Sequence, residues 1–414
     1  MKVLVKNIKA LLRAVDQMPK NPLKGQEMQE LPILQGRNVL IEDGLISGFP
    51  DSNEKIAADK EIDAARGYVL PGFVDSHTHI VFAESREAEF VMKIKGKSYV
   101  EIAKEGGGIL NSARKLAETS EDDLCESTKK RLEEVISMGT TAIEIKSGYG
   151  LSTESEIKML RVIKRLKQIS PIPIKATFLG AHAFPAEYRD NHEAYIDMII
   201  NEMLPIIKNE DLADYIDVFC DEGFFSESET DQILEAGAKL GLKAKIHANE
   251  LGFTGGIQSG VRNDALSVDH LEFTGDDEIQ ALKNSKTMPT LLPGTAFYLG
   301  MEYPPARKMI DSGLPIALAS DYNPGSCPSG NMSFIASLAC IKMKLLPNEA
   351  INALTVNGAH AMELHESAGS LAPGTPANLI ITNEIPSLEF MPYSFGSRLI
   401  NKVLLKGEIF EGLE

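Results

Sequence analysis

Tryptophan is absent from this chain of 414 residues, and cysteine is rare. The cysteines lie far apart and form no C-x-x-C pair, which argues against a zinc ribbon or a disulfide framework; they are Cys125, Cys220, Cys327 and Cys340. Basic residues are fewer than acidic ones: the chain has 42 Lys and Arg but 59 Asp and Glu, which gives a formal net charge of −17. Nucleic acids and anionic membranes bind basic patches, so neither is an expected partner.

Long hydrophobic runs are missing as well. No stretch approaches the roughly 18 consecutive apolar residues of a membrane span. Lys and Arg interrupt the apolar residues of the N-terminal segment MKVLVKNIKALLRAV, which therefore lacks the continuous apolar region of a signal peptide. The composition, with 43% hydrophobic residues and unpaired cysteines suited to a reducing compartment, predicts a soluble α/β protein of the cytoplasm.

The two ends of the chain share a β-rich pattern. Short apolar runs in the first seventy residues are separated by turn signals, of which Asp43-Gly44 is a good hairpin turn. The last forty residues return to the same pattern, with Lys406-Gly407 as another turn. We predict one small β-sandwich module, built from residues 1–70 together with 370–414.

Between these ends, buried apolar runs alternate with amphipathic helical segments, which is typical of a parallel sheet. Eight such units over about 300 residues predict a TIM (β/α)8 barrel over residues 71–369, with an insertion between the first and second strands. The predicted strands are Tyr68–Asp75, Thr140–Lys146, Ile174–Gly180, Tyr215–Cys220, Lys243–His247, Ala265–His270, Thr287–Leu292 and Pro315–Ser320.

Five of the eight histidines fall at the carboxyl ends of predicted strands, where barrel active sites are located. His77 and His79 are two residues apart and would point to the same side of a strand, while His182, His247 and His270 follow or end other strands. A single buried histidine is more often a packing residue than a ligand, but a convergent set is not explained by packing. The remaining histidines are interpreted as structural: His192, His360 and His365.

The ends of the first, fifth and eighth strands supply three imidazoles and one carboxylate. Such donors suit Zn²⁺, Fe²⁺ or Mn²⁺ and leave room for a bound water. The sequence therefore predicts a metal site formed by His77, His79, His247 and Asp321.

Two segments resemble the amidohydrolase superfamily, and the resemblance extends over essentially the whole chain. PGFVDSHTH is similar to its signature on the first barrel strand, and SLAPGTPANLII to its return segment into the N-terminal β-module. Binuclear members carry a bridging lysine at the end of the fourth strand, where this chain has Cys220-Asp221-Glu222. The resemblance thus implies one divalent metal per chain, zinc or iron, held by the four residues above.

Five further stretches narrow the resemblance within the superfamily: HTHIVFAESRE, EGGGI, EIKSGYGL, LGAHAFP and SDYNPGS. They resemble the members that open the ring of 4-imidazolone-5-propanoate to give N-formimidoyl-L-glutamate in histidine degradation. The segment HANE, with Glu250, discriminates less, because cytosine-deaminase-like relatives carry a glutamate at the same place. A metal-dependent hydrolase with a small-molecule substrate is the expected activity.

The inferred substrate assigns roles to individual side chains. Arg86 would bind the propanoate carboxylate, because a guanidinium can grip it with two hydrogen bonds. A metal lowers the pKa of water from about 15.7 towards roughly 7, and Asp321 would take the proton and pass it to the departing ring nitrogen. His270 would stabilise the oxyanion. By resemblance, the ring contacts are Glu250, Tyr149 and His182, and the product side is lined by Asn323, Gly325 and Ser326.

Alternatives remain open at this point. The same metal ligands would serve a deaminase of a nucleobase or related heterocycle, and a non-catalytic barrel used as a scaffold is a third possibility, although such proteins usually lose ligands. Asn323-Pro324-Gly325 also fits an ordinary turn, and Glu144 with Lys146 fits an interior ion pair. A homodimer is left open, because one sequence shows no interface.

Overall fold

The computed structural model describes residues 1–97, 101 and 107–413. Two residues of the EGGGI match, Glu105 and Gly106, lie outside the described residues. The strands of the described part are β1 Lys2–Lys6, β2 Ala10–Leu12, β3 Ile33–Leu34, β4 Val39–Glu42, β5 Leu45–Gly48, β6 Lys60–Asp63, β7 Tyr68–Pro71, β8 Phe73–Asp75, β9 Thr140–Lys146, β10 Ile174–Ala181, β11 Tyr215–Cys220, β12 Lys243–Ala248, β13 Ser267–His270, β14 Met288–Leu291, β15 Ala317–Leu318, β16 Leu379–Thr382, β17 Ile400–Leu405 and β18 Glu408–Ile409.

Helices occupy most of the segments between the barrel strands. Several begin at a Ser or Asn whose side chain accepts a backbone N–H of the first turn, as Ser152 and Ser226 do. Short 3₁₀ segments occur at Gly25–Gln29 and Ala186–Tyr188, and π-helical turns at Ile199–Met203 and Ala353–Asn357. The described α-helices are α1 Glu87–Ile94, α2 Ile109–Glu118, α3 Glu121–Ser137, α4 Thr153–Ile169, α5 His192–Met198, α6 Leu204–Glu210, α7 Glu227–Lys239, α8 Gly256–Arg262, α9 Asp276–Lys283, α10 Pro293–Leu299, α11 Ala306–Asp311, α12 Met332–Met343, α13 Pro347–Asn352, α14 Gly358–His360 and α15 Phe390–Tyr393.

Strands β8 to β15 form one parallel sheet in sequential order. Hydrogen bonds just beyond β8 and β15 join the two edges: Asp321 N–H donates to His77 O at 3.0 Å, and His79 N–H to Tyr322 O at 2.9 Å. Apolar side chains of the strands pack against the surrounding helices in one large buried cluster. The predicted TIM barrel is confirmed, and the carboxyl ends of its strands meet at one rim.

Two smaller sheets contain the chain ends. One has the order β5-β4-β1-β6 and the other β18-β17-β16-β7-β2-β3, so N-terminal and C-terminal strands share the second sheet. A separate apolar cluster draws residues from both sheets, including Val5, Ile41, Val69 and Leu404. This arrangement agrees with the predicted β-sandwich, while the exact division into residues 1–70 with 370–414 and 71–369 stays a prediction.

The two hairpin turns are confirmed. Asp43 and Gly44, between β4 and β5, have φ values of 51° and 82°, and Lys406 and Gly407, between β17 and β18, have 50° and 81°. Two successive residues with positive φ are the pattern of a type I′ turn, whose twist matches that of the flanking strands.

The prediction of a single barrel strand over Tyr68–Asp75 is wrong, because this segment forms two strands that belong to different sheets. Tyr68–Pro71 pairs with β16 and β2 in the smaller sheet, and only Phe73–Asp75 pairs with β9 in the barrel. The chain changes sheets at Gly72, whose N–H donates to Asn378 O at 3.2 Å. A Cβ at this residue would lie 2.0 Å from Thr141 Cγ2, so only glycine fits the crossing.

Three other barrel strands are shorter than predicted. Thr287–Leu292 reduces to Met288–Leu291. Ala265–His270 reduces to Ser267–His270 and Pro315–Ser320 to Ala317–Leu318. Ser320 instead donates its N–H and its hydroxyl to the carboxylate of Asp75, at 3.0 and 2.5 Å. No helix among the described residues is both long enough and apolar enough to cross a membrane.

Gly72→Ala is expected to lower the free energy of unfolding by about 2 kcal/mol, because forcing an extra methyl group into a packed region costs about 1–3 kcal/mol. Thermal unfolding followed by circular dichroism measures the change. Gly48→Ala is the matched control, since a Cβ on Gly48 meets no atom within 4 Å. Equal unfolding midpoints for the two variants would contradict the assigned role of Gly72.

Candidate metal centre and active site

Three imidazoles converge at the rim of the barrel. The Nε2 atom of His79 lies 3.2 Å from Nε2 of His77 and 3.4 Å from Nε2 of His247. All three side chains are buried, and their ligand atoms form a group able to hold a metal ion. The first two follow β8 and the third lies in β12, so the parallel order of the barrel brings together residues about 170 apart in the chain.

Two carboxylates lie behind the imidazoles. Nδ1 of His77 lies 2.6 Å from Oδ2 of Asp269, and Nδ1 of His247 lies 3.0 Å from Oδ2 of Asp217. An Nδ1–H donated to Asp269 leaves Nε2 of His77 as a lone pair, whereas Nδ1 of His247 approaches Asp217 without the geometry of a hydrogen bond. The Nε2 atoms of three buried imidazoles lie close together, so the site fits a cation.

The electrostatics agree with this assignment. Burial, together with Lys146 and the other imidazoles, lowers the pKa of His77 well below its ordinary value. Burial and His247 likewise lower the pKa of His79. Both imidazoles are therefore neutral at physiological pH, which is the protonation state that binds a metal.

Asp321 approaches the histidines from the eighth strand. Its Oδ1 lies 3.5 Å from Nε2 of both His77 and His79, while its Oδ2 accepts a hydrogen bond from the hydroxyl of Thr295. The backbone of Asp321 is left-handed, with φ of 54°. Such backbone strain costs about 1–3 kcal/mol and is concentrated at functional sites. The structure thus brings together all four predicted metal-binding residues, whose role as ligands stays a prediction.

A buried charge network lies beneath the imidazoles inside the barrel, consisting of Glu144, Lys146, Asp217, Lys245 and Asp269. Lys146 Nζ lies 2.5 Å from Glu144 Oε1, 2.8 Å from Asp217 Oδ2 and 3.7 Å from Asp269 Oδ2. Lys245 Nζ also binds Glu144, and donates to Ser76 O at 3.0 Å. Three carboxylates face two ammonium groups, which leaves one formal negative charge for a cation at the rim to balance.

The predicted interior ion pair of Glu144 and Lys146 is confirmed, and it forms part of this larger network. Although burial opposes its charge, Asp217 and Glu144 raise the pKa of Lys146. Burial raises the pKa of Asp217 less than His247 and Lys146 lower it, so the net shift is strongly downward. The network is therefore continuous with the metal site. The sequence signal was an aspartate inside each of the apolar strands YIDVFC and SVDH, because a buried carboxylate needs a partner.

Beside the imidazoles opens a cleft of about 430 Å³, hereafter the cleft. Apolar side chains such as Phe219, Phe224 and Leu299 form part of its wall. The structure places every predicted substrate-binding residue on this cleft: Arg86, Tyr149, His182, Glu250, Asn323, Gly325 and Ser326.

Tyr149 and His182 line the wall next to His79. The ring of His182 stacks on that of His79, with centroids 5.5 Å apart and planes at 18°, and its Nδ1 lies 3.0 Å from Gly148 O. Burial lowers the pKa of His182 to about 3. A neutral ring that donates through Nδ1 leaves Nε2 as an acceptor for a ligand.

Glu156, which the sequence reasoning missed, holds the loop that presents Tyr149. Its buried carboxylate accepts backbone N–H groups from Gly148, Gly150 and Leu151 at 3.0, 2.6 and 3.0 Å. The loop that carries Tyr149 is therefore held in place at this wall of the cleft.

Arg86 caps the start of α1 at the far side of Tyr149, with its Cζ 5.7 Å from the centre of that ring. Its Nε donates to Ser112 Oγ at 2.9 Å. Among the described residues its buried Nη2 has no hydrogen-bond partner. A guanidinium nitrogen left unpaired in a cleft is available to an anionic ligand.

Asn323 forms the turn that lines the opposite wall. Its Oδ1 accepts N–H groups from Gly325 and Ser326, both at 2.8 Å, and its amide donates to Asp321 O at 2.7 Å. The turn interpretation is thus correct for the backbone, and the same residues also face the cleft. Asn323 ties this wall directly to Asp321.

His270 and Glu250 lie together near the metal site, with His270 Nε2 3.6 Å from Glu250 Oε2. Burial alone would lower the pKa of His270, but Glu250 and Glu272 raise it to about 10. Burial raises the pKa of Glu250 to about 7. Glu272, 3.8 Å from His270 Nδ1, is a further residue that the sequence reasoning missed. The two carboxyl groups thus favour the protonated form of His270, which could donate to an oxyanion.

Comparison with known proteins decides the family. Residues 68–410 match the model of the amidohydrolase family. This chain belongs to the amidohydrolase family. A relative from Flavobacterium johnsoniae named imidazolonepropionase is 55% identical over 408 residues, which cover 98% of this chain and 99% of the relative. The family predicted from PGFVDSHTH is confirmed.

Solved structures agree with the fold. Guanine deaminase from E. coli has a TM-score of 0.74 at 14% identity, and the match covers 100% of both chains. An adenosine deaminase from Xanthomonas campestris, solved with bound zinc, has a TM-score of 0.67 at 14% identity over 98% of this chain and 92% of that one. At 14% sequence identity, these similarities show only that the folds are alike. The family and the convergent histidines of this chain support a metal cofactor.

Asp269→Asn is expected to weaken metal binding about 10- to 100-fold, because a partner that orients a ligating histidine contributes about that much to affinity. Competition with a chelating dye, read by absorbance, measures the metal Kd directly. Asp190→Asn, an exposed carboxylate away from the barrel interior, is the control. Unchanged metal affinity in Asp269→Asn would show that Asp269 does not orient His77.

Proposed function

We propose that this chain hydrolyses the ring of 4-imidazolone-5-propanoate to N-formimidoyl-L-glutamate, a step of histidine degradation. The observation that carries the proposal is the 55% identity, over nearly the whole chain, to a relative named imidazolonepropionase. The activity is hydrolysis of a carbon–nitrogen bond in a cyclic amide. The cleft supports it, since Arg86 lines it and two other lining residues, Tyr149 and His182, lie against His79 of the candidate metal site.

One divalent cation, zinc or iron, would be held by His77, His79 and His247 with Asp321 beside them. Nitrogen and carboxylate donors suit both metals, so the residues do not choose between them. When bound, such a cation supplies the acidity that lets water act as a nucleophile at neutral pH.

Proton movement in the reaction is assigned to Asp321. Thr295 engages Oδ2 and leaves Oδ1 on the side of the imidazoles, where it would accept the proton of the attacking water. The same carboxyl then returns the proton to the departing ring nitrogen, as general base and then general acid. His270, with its pKa raised to about 10, donates a hydrogen bond to the developing oxyanion.

Substrate positioning is assigned to the cleft walls. Glu250 and the neutral His182 would hydrogen-bond the polar edge of the imidazolone ring, and Tyr149 would pack against its face. Arg86 would bind the carboxylate tail through Nη2, which has no hydrogen-bond partner within the described part of the chain. The product side is assigned to Asn323, Gly325 and Ser326.

The alternative, deamination of a nucleobase, has less support. The histidines, Glu250 and Asp321 would serve it equally well. A nucleobase, however, has no carboxylate to pair with the guanidinium of Arg86, whose Nη2 would then stay unpaired. Location in the cytoplasm and assembly as a homodimer stay predictions.

Metal removal is expected to abolish hydrolysis of 4-imidazolone-5-propanoate, followed by the loss of ring absorbance. Adding zinc or iron back should restore the rate, because the residues alone cannot lower the pKa of water. Elemental analysis of protein purified without added metal identifies the natural ion. Full activity in protein shown to contain no metal would overturn the mechanism.

Arg86→Met is expected to raise KM for this substrate about 10- to 100-fold with a much smaller change in kcat, because a charged hydrogen bond contributes about 1.5–3 kcal/mol. Initial rates over a substrate series give both constants. Arg398→Met, an exposed arginine in the small β-module, is the control. An unchanged KM would favour a substrate without an acidic tail.

A further inference from the structure

Lys93 is a second cation on the wall of the cleft. It lies in the last turn of α1, seven residues after Arg86, which caps the same helix. Seven residues are about two helical turns, so the two side chains leave the helix on the same face.

Both cations meet at one residue of the opposite wall. Lys93 Nζ donates to Gly325 O at 3.4 Å. A Cβ on Gly325 would lie 2.6 Å from Arg86 Nη1, so the guanidinium also lies against this glycine. Gly325 therefore brings the ammonium and the guanidinium to the same end of the cleft.

Neither cation is neutralised there by an acidic side chain of the described residues. Lys93 lies 5.7 Å from the centre of the Tyr298 ring and forms no ion pair within that part of the chain. The nearby carboxylate of Glu89 accepts the backbone N–H of Gly108 at 2.9 Å. Burial lowers the pKa of Lys93; the charge of Glu89 opposes this shift and the charge of Arg86 adds to it, so the net shift is downward.

The two cations outnumber the one carboxylate, Glu89, that lies beside them on the cleft wall. Glu250 stands near His270 at the metal end, and the two cations stand beyond Tyr149, whose ring contacts both His79 and Arg86. A ligand with a hydrogen-bond-donating ring and an anionic tail matches this order. A carboxylate offers about four acceptor positions, more than one guanidinium uses.

We infer that Lys93 binds the carboxylate tail of the substrate together with Arg86, and that this pair of cations selects substrates with an acidic tail. The inference rests on the proposed function and extends it by one specificity-determining residue. Arg86 supplies a directional grip, and Lys93 supplies a mobile point charge to the remaining oxygen lone pairs.

The test uses metal-loaded enzyme and two stable probes, imidazole-4-propanoate and its neutral counterpart imidazole-4-propanamide, with Kd measured by calorimetry. Lys93→Met is expected to raise Kd for the acid about 10-fold and to leave Kd for the amide unchanged, because only the acid carries the charge. Lys93→Arg should restore binding of the acid. Lys95→Met, an exposed lysine of the same segment, is the matched control and should behave as wild type.

The kinetic readout runs in parallel on 4-imidazolone-5-propanoate, where Lys93→Met should raise KM and leave kcat nearly unchanged. Equal weakening of both probes, or unchanged binding of the acid in an enzyme that hydrolyses the substrate, would overturn the role of Lys93 and leave the proposed function standing. A wild-type enzyme without this activity would overturn both. Lys93→Gln repeats the test if the methionine variant does not fold.

Discussion

The contact between the Asp269 carboxylate and the His77 imidazole joins the interior of the barrel to the metal site. A histidine presents a lone pair to a cation only in one ring orientation and one tautomer. The hydrogen bond to Asp269 fixes both for His77. Asp217 lies 3.0 Å from Nδ1 of His247 and accepts the backbone N–H of that residue at 3.1 Å. Lys146 in turn pairs with both aspartates. This buried lysine beneath the imidazoles therefore helps to hold the groups that contact His77 and His247.

Such a network is costly without its cation. Three carboxylates and two ammonium groups are fully buried, and charge removed from water is tolerated only when it is paired and hydrogen-bonded. Thr177 and Ser267 satisfy further carboxylate oxygens, each at 2.6 Å. In this fold the barrel interior is usually filled by branched apolar residues. Here charged side chains occupy part of it and position the residues of the site. Folding and metal binding are therefore coupled through the same side chains.

The sequence predicted the barrel, the terminal β-module and the residues that converge on the site, because alternating apolar runs and histidines at strand ends are local signals. The sequence did not show that β7 and β8 are separate strands, because Val69 and Val74 are equally buried and look alike as strand residues. The break between the strands lies at Gly72, which packs on Thr141. Sequence reasoning also missed Asp217, Asp269 and Glu156, whose partners lie on other elements. A carboxylate inside an apolar strand shows that a partner exists but does not identify it.

The crossing at Gly72 also has a consequence for biosynthesis. Strand β7, only a few residues ahead of His77, is held in its sheet by β16, which begins at Leu379 near the end of the chain. During translation, the segment that leads into the first two imidazoles has no sheet partner on that side until β16 has been synthesised. A product terminated before Leu379 would lack the strand that pairs with β7 ahead of the site.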